Sequence, residues 1–210
     1  MMACKGEKMD YTQKILNLAD LLGTMKNLRR RGWVLRNVKN PESDADHSYS
    51  LTLLVLLFTP SYLDLLKCLK LAIVHDIPEA ICGDFMPGEI AADDKDKRER
   101  EAVLQIAKNI DYPELSELFD EYQSENTEEA KFVKALDRLD NVFTARYYQD
   151  RQNIALIEEF ANGTHKRLQN LDEKVKHNFS EILKIREVFE SQESSSSLCF
   201  FFFFFLFFLF

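Results

Sequence analysis

Glycine and proline are scarce in this sequence, which carries 6 and 5 of them among its 210 residues. Folds made of many short strands depend on frequent turns, and turns draw heavily on these two residues. Long stretches rich in leucine, lysine and glutamate occupy the sequence instead. The composition therefore predicts an all-α fold, and the length fits one domain with a substantial buried core.

Cysteine is equally rare, and its positions lack the paired spacing of a zinc finger. They are Cys4, Cys68, Cys82 and Cys199. We interpret them as reduced thiols, which predicts a cytoplasmic protein. Residues 1–14 are polar and lack the apolar segment of a secretory signal, in agreement with that location.

Positive charge is in short supply, since the formal net charge at pH 7 is −8. A chain of this sign is poorly suited to gripping a nucleic-acid polymer such as DNA or RNA. A mononucleotide is still an acceptable ligand, because a bound metal ion and a few local cations can reverse the field inside a pocket.

The most apolar run of the chain is also too short to span a bilayer. The C-terminal stretch SQESSSSLCFFFFFFLFFLF holds 9 of the 17 phenylalanines. Its apolar part of about a dozen residues falls short of the roughly 20 that a membrane helix needs. We expect no membrane partner, a single domain over residues 1–190, and a low-complexity Ser/Phe tail outside the fold at residues 191–210.

Functional chemistry begins with the dipeptide His75-Asp76, which closes the apolar run LKLAIVHD. Both side chains can bind a divalent metal. The preceding apolar residues predict that the pair lies at the inner end of a buried helix, where a carboxylate is costly unless a cation or a donor compensates it. Taken alone, a helix end with a local hydrogen bond is the plainer interpretation of this pair.

Two other segments supply partners for that pair. In PESDADHSYSLTLLVLLF, His47 falls in the first turn of an apolar helix capped by Ser43 or Asp44. In EEAKFVKALDRLDNVFTA, Asp137 borders an amphipathic stripe and needs a partner. Such a set can hold one divalent ion and leave positions for water and substrate. The four candidate metal ligands are His47, His75, Asp76 and Asp137. The alternatives are local pairs with charged neighbours on the same helix.

The order H…HD…D resembles the signature of the HD superfamily of metal-dependent phosphohydrolases. The segments GWVLRNVKNPESDADHSYS, LAIVHDIPEAICGD and EEAKFVKALDRLD are similar to its 5′-deoxynucleotidase branch, in particular to the eukaryotic HD domain-containing protein 2 group. The likeness runs from about Tyr11 to about Gln149. It implies an HD-domain helical bundle with one divalent metal ion, and mixed His/carboxylate ligation suits Mn, Co, Mg, Zn or Fe.

The resemblance also implies catalytic roles for Glu79 and Asp84. Glu79 follows the His-Asp pair by about one helical turn, so it can face a water near the ion and transfer protons. Asp84 is implied to share the phosphate or water site. The plainer alternatives are a helix-terminal charge for Glu79 and a turn-forming residue for Asp84.

The loop from Leu28 to Asn40 is the candidate substrate-binding segment. We expect Trp33, Arg31 and Arg36 to contact substrate, since guanidinium groups pair with phosphate and an indole offers a flat wall to a sugar or base. In the deoxynucleotidases that the chain resembles, this tryptophan packs where a ribose 2′-OH would project. Gly32 stands where the bacterial enzymes have an arginine, so the phosphate donor stays open between Arg31 and Arg36. A solvated basic loop is the alternative.

Hydrophobic periodicity predicts the order of the helices. They fall at about 10–27, 44–58, 62–75, 94–109, 113–123, 126–150 and 153–161, with a last helix at about 164–190 after a break at 162–163. The last helix is a candidate for packing against a second subunit. On the first helix, the residues expected to face inward are Ile15, Leu18, Ala19, Leu22 and Met25.

The function that fits these features is hydrolysis of a deoxyribonucleoside 5′-monophosphate to deoxynucleoside and phosphate, by a cytoplasmic homodimer. The nearest alternative is another HD-type reaction, on a dNTP or a cyclic nucleotide. A catalytically silent nucleotide-binding module is a second alternative, and intact Glu79 and Asp84 count against it. A purely structural helical protein is the third, but it would have no reason to bring four potential ligands into its core.

Overall fold

The structure, a computed structural model, describes residues 10–152 and 154–168. These residues form nine helices, and extended backbone pairs only at the isolated bridges Arg29–Ser43 and Pro87–Ile90. The all-α prediction is confirmed. The chain divides into two units, Met1–Phe160 and Ala161–Phe210, and the candidate site residues lie in the first. The predicted domain end at residue 190 and the tail at 191–210 lie outside the described residues and stay predictions.

The helices follow the predicted order with three differences. In chain order they are α1 Tyr11–Asn27, α2 Arg31–Leu35, α3 Asp44–Phe58, α4 Leu65–Val74, α5 Glu79–Cys82, α6 Ala92–Asn109, α7 Glu114–Ser124, α8 Glu128–Gln152 and α9 Ile157–Leu168. Two short helices, α2 and α5, lie in segments predicted as loops. The predicted break at 162–163 is wrong, because α9 continues through it. None of the helices in the described ranges is long and apolar enough to cross a membrane.

Helix α3 forms because its sequence provides a cap followed by an apolar run. The Ser43 hydroxyl accepts a hydrogen bond from the Asp46 backbone N–H, and the Asp46 carboxylate accepts one from the Ser43 N–H. Such a reciprocal box stabilises a helix start by about 1 kcal/mol. Residues 44, 47, 51 and 55 then share one helical face, and all four are fully buried.

The core lies where α3, α4 and α8 pack against one another, with α7 covering α4 and α8. Helix α4 contributes Cys68, Leu71 and Ala72, and α8 contributes Val133 and Leu136, all of them buried. Burying a leucine or valine side chain stabilises the fold by about 1.5–3 kcal/mol. This packing fixes the relative positions of the three helices that carry the His and Asp residues of interest.

Helix α1 packs on its neighbours through a different face from the one predicted. Ile15, Leu18 and Leu22 are exposed, and only Met25 of the expected inward residues is buried. The reason is polar: Lys14 and Asn17 point inward and donate hydrogen bonds to backbone carbonyls at the end of α6, at residues 111 and 109. A face chosen by hydrogen bonds to a helix C-terminus leaves no signal in hydrophobic periodicity.

Candidate metal centre

Three helices bring the predicted ligands into one cluster. The cap at Ser43 places His47 one turn into α3, and His75 follows the last residue of α4. Asp137 projects from the middle of α8. Each imidazole is nearly fully buried, while Asp76 and Asp137 keep 13% and 15% of their side-chain surface exposed. The carboxylates therefore form the solvent side of the cluster.

The distances within the cluster are short. His47 Nε2 lies 3.2 Å from His75 Nε2 and 3.2 Å from Asp137 Oδ1. Asp76 Oδ2 lies 3.0 Å from His75 Nε2 and 3.7 Å from His47 Nε2. Two ligand atoms 3.2 Å apart fit around one ion with bonds of about 2.1 Å at a near-right angle. The donor set of two nitrogens and two carboxylates therefore fits a divalent metal.

The outer nitrogen of each imidazole fixes what the inner nitrogen can do. His47 Nδ1 lies 2.7 Å from Asp140 Oδ2, and His75 Nδ1 lies 2.8 Å from the carbonyl oxygen of Ala72. Both partners are acceptors, so each Nδ1 is the donor, and each Nε2 of a neutral ring presents a lone pair inward. Lone pairs that converge at 3.2 Å repel unless a cation or proton lies between them.

The electrostatics of the metal-free cluster agree with this arrangement. Burial and the nearby Arg30 lower the pKa of His47, but hydrogen bonds to Asp137 and Asp140 outweigh them and raise it to about 10. Burial alone would raise the pKa of Asp76, yet the charges of His75 and Arg30 hold it below its usual range. A proton on His47 therefore occupies the place that a cation would take.

A second acidic group adjoins the cluster. Asp44, Glu79 and Asp84 each have an oxygen within 4.8 Å of the others, a spacing that could also hold a cation. Within the described part of the chain, both oxygens of Asp44 and Oε2 of Glu79 are buried without a hydrogen bond of good geometry. Burial, reinforced by Asp76, raises the pKa of Asp44 to about 7. Burial, with Asp76 and Asp84, raises the pKa of Glu79 well above its usual value. Its surroundings therefore favour the protonated form of Glu79 more than those of a free carboxyl group do.

The predicted substrate-binding residues lie apart from the metal cluster. Trp33 is only 2% exposed, and its indole N–H donates to Glu42 at 2.8 Å. Tyr148 and Phe160 pack against its ring. Helix α2 turns the indole of Trp33 inward. Core side chains therefore cover the ring face that we expected to contact a sugar or base. The proposed role of Trp33 in sugar selection stays a prediction.

Arg31 and Arg36 are engaged elsewhere. The Arg31 side chain pairs with Glu89 at 3.0 Å, and the Arg36 side chain pairs with Glu159. Arg31 does approach the site through its backbone N–H, which donates to Asp84 Oδ2 at 2.6 Å. The structure therefore brings Glu79 and Asp84 beside the metal cluster but not the guanidinium groups of these two arginines.

Arg30 is the cation at the site that sequence reasoning missed. Its guanidinium donates to Asp76 Oδ2 at 2.8 Å and to Asn141 Oδ1 at 3.2 Å, and only 14% of its side chain is exposed. The sequence has four arginines between residues 29 and 36, and nothing in it distinguishes which of them enters the site. The distinguishing feature is that Arg30 lies just before α2 and next to the Arg29–Ser43 bridge, where its backbone N–H donates to the Glu42 carbonyl and its side chain points at the end of α4.

A cleft of about 530 Å³ opens next to Asp84. Its walls include Leu28, Val34 and Phe85, with Arg31 and Glu89 at the rim. This volume lies in the range of sites that bind small molecules. A ligand bound in the cleft would have one end beside Asp84, and therefore beside the metal cluster and the acidic group that adjoins it.

Comparison with known proteins identifies relatives over most of the chain. The family model described as HD domain matches residues 22–179. The mouse 5′-deoxynucleotidase HDDC2 is 37% identical over 155 residues, which covers 71% of this chain and 78% of the relative. The human 5′-deoxynucleotidase HDDC2 is 36% identical over 157 residues, with 72% and 77% covered. Among solved structures, the PH0347 protein from Pyrococcus horikoshii superposes with a TM-score of 0.69 at 34% identity, and the match covers 82% of this chain and 96% of that protein.

Proposed function

This chain belongs to the HD domain family, and on that basis we propose that it is a 5′-deoxynucleotidase, which hydrolyses a deoxyribonucleoside 5′-monophosphate to deoxynucleoside and phosphate. Relatives that carry this name match about two thirds or more of the chain at 30–37% identity. The observation that supports the proposal best is the convergence of His47, His75 and Asp137 with their ligand atoms inward. Intact Glu79 and Asp84 beside that arrangement count against a catalytically silent module.

We assign one divalent ion to His47, His75, Asp76 and Asp137. When bound, the ion supplies Lewis-acid stabilisation of negative charge on the phosphoryl group. Mn, Co, Mg, Zn and Fe are the candidates for this ion, because imidazole and carboxylate ligands bind all of them.

Arg30 takes the role of phosphate-facing cation in this proposal. Its guanidinium already bonds to Asp76 and Asn141 at the edge of the cluster. A guanidinium has five N–H donors in a planar fork, so two bonds to protein leave donors for a phosphate oxygen. Arg31, which lines the cleft, would act further out, while the substrate contact expected of Arg36 stays a prediction because its side chain pairs with Glu159.

Glu79 transfers the protons of the reaction. A water oxygen forms a bond to phosphorus while the bond from phosphorus to O5′ of the sugar breaks. Glu79, whose raised pKa favours the protonated form, donates to O5′ and then recovers a proton from the attacking water. Asp84, fixed by the backbone N–H of Arg31, orients that water.

The nucleoside part of the substrate would lie in the cleft next to Asp84. Its apolar walls suit a base and a deoxyribose, and its volume is sufficient for a nucleoside. The proposal includes a homodimer in the cytoplasm.

The test is phosphate release from dAMP and dTMP by the purified full-length protein with Mn²⁺ or Co²⁺. We expect hydrolysis that EDTA abolishes and that Asp137→Ala reduces by at least about a hundredfold, because a first ligand of the ion is lost. Asp150→Ala is the matched control, since this aspartate is on the same helix but pairs with Arg146 at the surface.

A substrate panel separates the alternatives. We expect 5′-monophosphates to be hydrolysed faster than dNTPs or cyclic nucleotides, and dAMP faster than AMP. Preference for a dNTP or a cyclic nucleotide would assign the protein to another HD reaction. Metal binding without turnover of any of these compounds would favour the silent module.

A further inference from the structure

We propose that Tyr122 is a positioning residue that makes Asp137 a ligand through one oxygen only. This inference rests on the metal-dependent function proposed above. Tyr122 lies in α7, outside every segment that the sequence singled out for chemistry. It is 4% exposed, and its hydroxyl donates to Asp137 Oδ2 at 3.1 Å.

The two oxygens of Asp137 have different partners. Oδ1 lies 3.2 Å from His47 Nε2 and faces the cluster. Oδ2 is bonded by the phenol and faces α7. A carboxylate that is free to rotate can bind an ion through one oxygen or through both. The phenol hydrogen bond selects the first arrangement, because it occupies the oxygen that a two-oxygen ligand would need.

Asn141 acts on the same carboxylate from one turn further along α8. Its side-chain amide donates to the Asp137 backbone carbonyl at 2.9 Å and to Oδ1 at 3.3 Å. These bonds hold the helix turn and the oxygen that faces the cluster, but they leave Oδ2 to Tyr122. The phenol is therefore the group that holds the second oxygen of the carboxylate away from the cluster.

Neighbours from two other elements contact the ring of Tyr122 and restrict the position of its hydroxyl. Its ring packs edge-on against His75, with centroids 5.5 Å apart. The ammonium of Lys134 lies 4.8 Å from the ring centroid on α8. The next residue, Gln123, donates to the buried carboxylate of Glu99 on α6 at 2.8 Å. Contacts to three elements thus aim one hydroxyl at one carboxylate oxygen.

The consequence is chemical as well as structural. An Asp137 that binds through one oxygen leaves a coordination position for water or a phosphoryl oxygen. Groups that orient a metal ligand from behind commonly change metal affinity or activity by 10- to 100-fold when removed. Tyr122 contributes this effect without touching the ion or the substrate.

The test compares Tyr122→Phe with Tyr112→Phe in the full-length protein. Tyr112 is the matched control, because its hydroxyl also donates to a carboxylate, Glu114, at 2.8 Å, but away from the metal cluster. Mn²⁺ affinity is measured by electron paramagnetic resonance of the free ion, and thermal unfolding in EDTA reports on the fold. We expect Tyr122→Phe to weaken Mn²⁺ binding by about tenfold or more and Tyr112→Phe to leave it within about twofold of wild type.

Activity supplies a second readout. The activity that Tyr122→Phe loses at a low Mn²⁺ concentration should be partly recovered as the Mn²⁺ concentration is raised. The activity of a variant with a damaged fold would not recover. Mn²⁺ affinity that is unchanged or tighter in Tyr122→Phe overturns the inference and leaves the metal centre standing. A wild-type protein that binds no Mn²⁺ at all overturns the metal centre and this inference with it.

A probe in the otherwise native protein covers the case in which Tyr122→Phe fails to fold. With 3-fluorotyrosine at position 122, addition of diamagnetic Zn²⁺ should shift the ¹⁹F resonance, because the phenol is bonded to a ligand of the ion. The same label at position 112 should not respond. Equal responses at the two positions, or none at position 122, would overturn the assignment.

Discussion

Replacing Arg30 with alanine should destabilise the metal-free protein far more than the metal-loaded one. Arg30 and Asp76 form a buried pair at 2.8 Å, with 14% and 13% of their side chains exposed. Burial opposes the charge on Arg30, yet Asp76, Glu79, Asp84 and Asp137 raise its pKa further than burial lowers it. Without the guanidinium, the repulsion among those carboxylates would be offset only in part by the protonated imidazole of His47.

The magnitude follows from the cost of breaking a buried ion pair by removing one partner. Such changes typically cost about 3–5 kcal/mol of unfolding free energy. For a chain of this size, 1 kcal/mol lowers Tm by roughly 2–4 °C, so Arg30→Ala should lower Tm by roughly 6–20 °C in EDTA. A bound divalent ion compensates Asp76 and Asp137 directly, so the loss in saturating Mn²⁺ should be clearly smaller.

The assay is thermal unfolding followed by circular dichroism, in EDTA and in saturating Mn²⁺. Arg31→Ala is the control, because that side chain pairs with Glu89 at the surface and its contact with Asp84 is made by the backbone. Surface pairs contribute little, so we expect a small shift that is the same with and without metal. Arg30→Lys keeps the charge but loses the fork, and it should fall between wild type and Arg30→Ala.

Two outcomes would refute this account of Arg30. The first is a loss of Tm in EDTA no larger than that of Arg31→Ala, which would mean that the Asp76 pair is not a buried pair in solution. The second is an equal loss with and without Mn²⁺, which would mean that the ion and Arg30 do not compensate the same carboxylates.

Two further predictions concern the residues around the cluster. Asp140→Asn should weaken Mn²⁺ binding by about 10- to 100-fold, measured by metal titration, because the carboxylate that orients His47 through Nδ1 becomes an amide; Asp150→Asn on the same helix should leave the affinity unchanged. The unfolding free energy of the metal-free protein should fall as the pH is raised from about 4 to about 7. Asp44 keeps its proton in the folded state up to its pKa of about 7, whereas the unfolded chain has already lost it. The folded state therefore binds more protons than the unfolded state over this range. Asp44→Asn should flatten this slope, which for one group is at most about 1.4 kcal/mol per pH unit; an equally steep decline in Asp44→Asn, followed by urea unfolding across this range, would contradict the assignment.

The parts of the fold that could be predicted from sequence depend on local rules. The start of α3 follows from a capping residue, and α4 and α8 follow from apolar periodicity. The His-Asp pair and Asp137 stood out because a polar side chain bordering a core face must have a partner. Their convergence needs only that α3, α4 and α8 pack together, which these apolar faces favour.

The parts that could not be predicted depend on side-chain direction. Arg30, Arg31 and Arg36 have the same chemistry, and which one enters the site is decided by where the five-residue helix α2 begins. The same helix turns Trp33 into the core. The sequence does not identify Tyr122 as a site residue, because an aromatic residue on an amphipathic helix usually packs in the core. Its hydroxyl also bonds to a residue on a different helix, across from α7 to α8.

The charge balance around the cluster explains how an acidic protein can act on an anionic substrate. The carboxylates gathered here are Asp44, Asp76, Glu79, Asp84 and Asp137. Against them stand the guanidinium of Arg30 and, in the metal-free protein, the imidazole of His47. Further out on α6 is the ammonium of Lys95, whose pKa burial lowers but Glu99, Glu79 and Asp76 raise by more. Carboxyl groups still outnumber the cations, which disfavours the approach of a phosphate dianion. A proton on Glu79 and a divalent cation among the imidazoles reverse it locally, so substrate affinity and metal binding must be coupled.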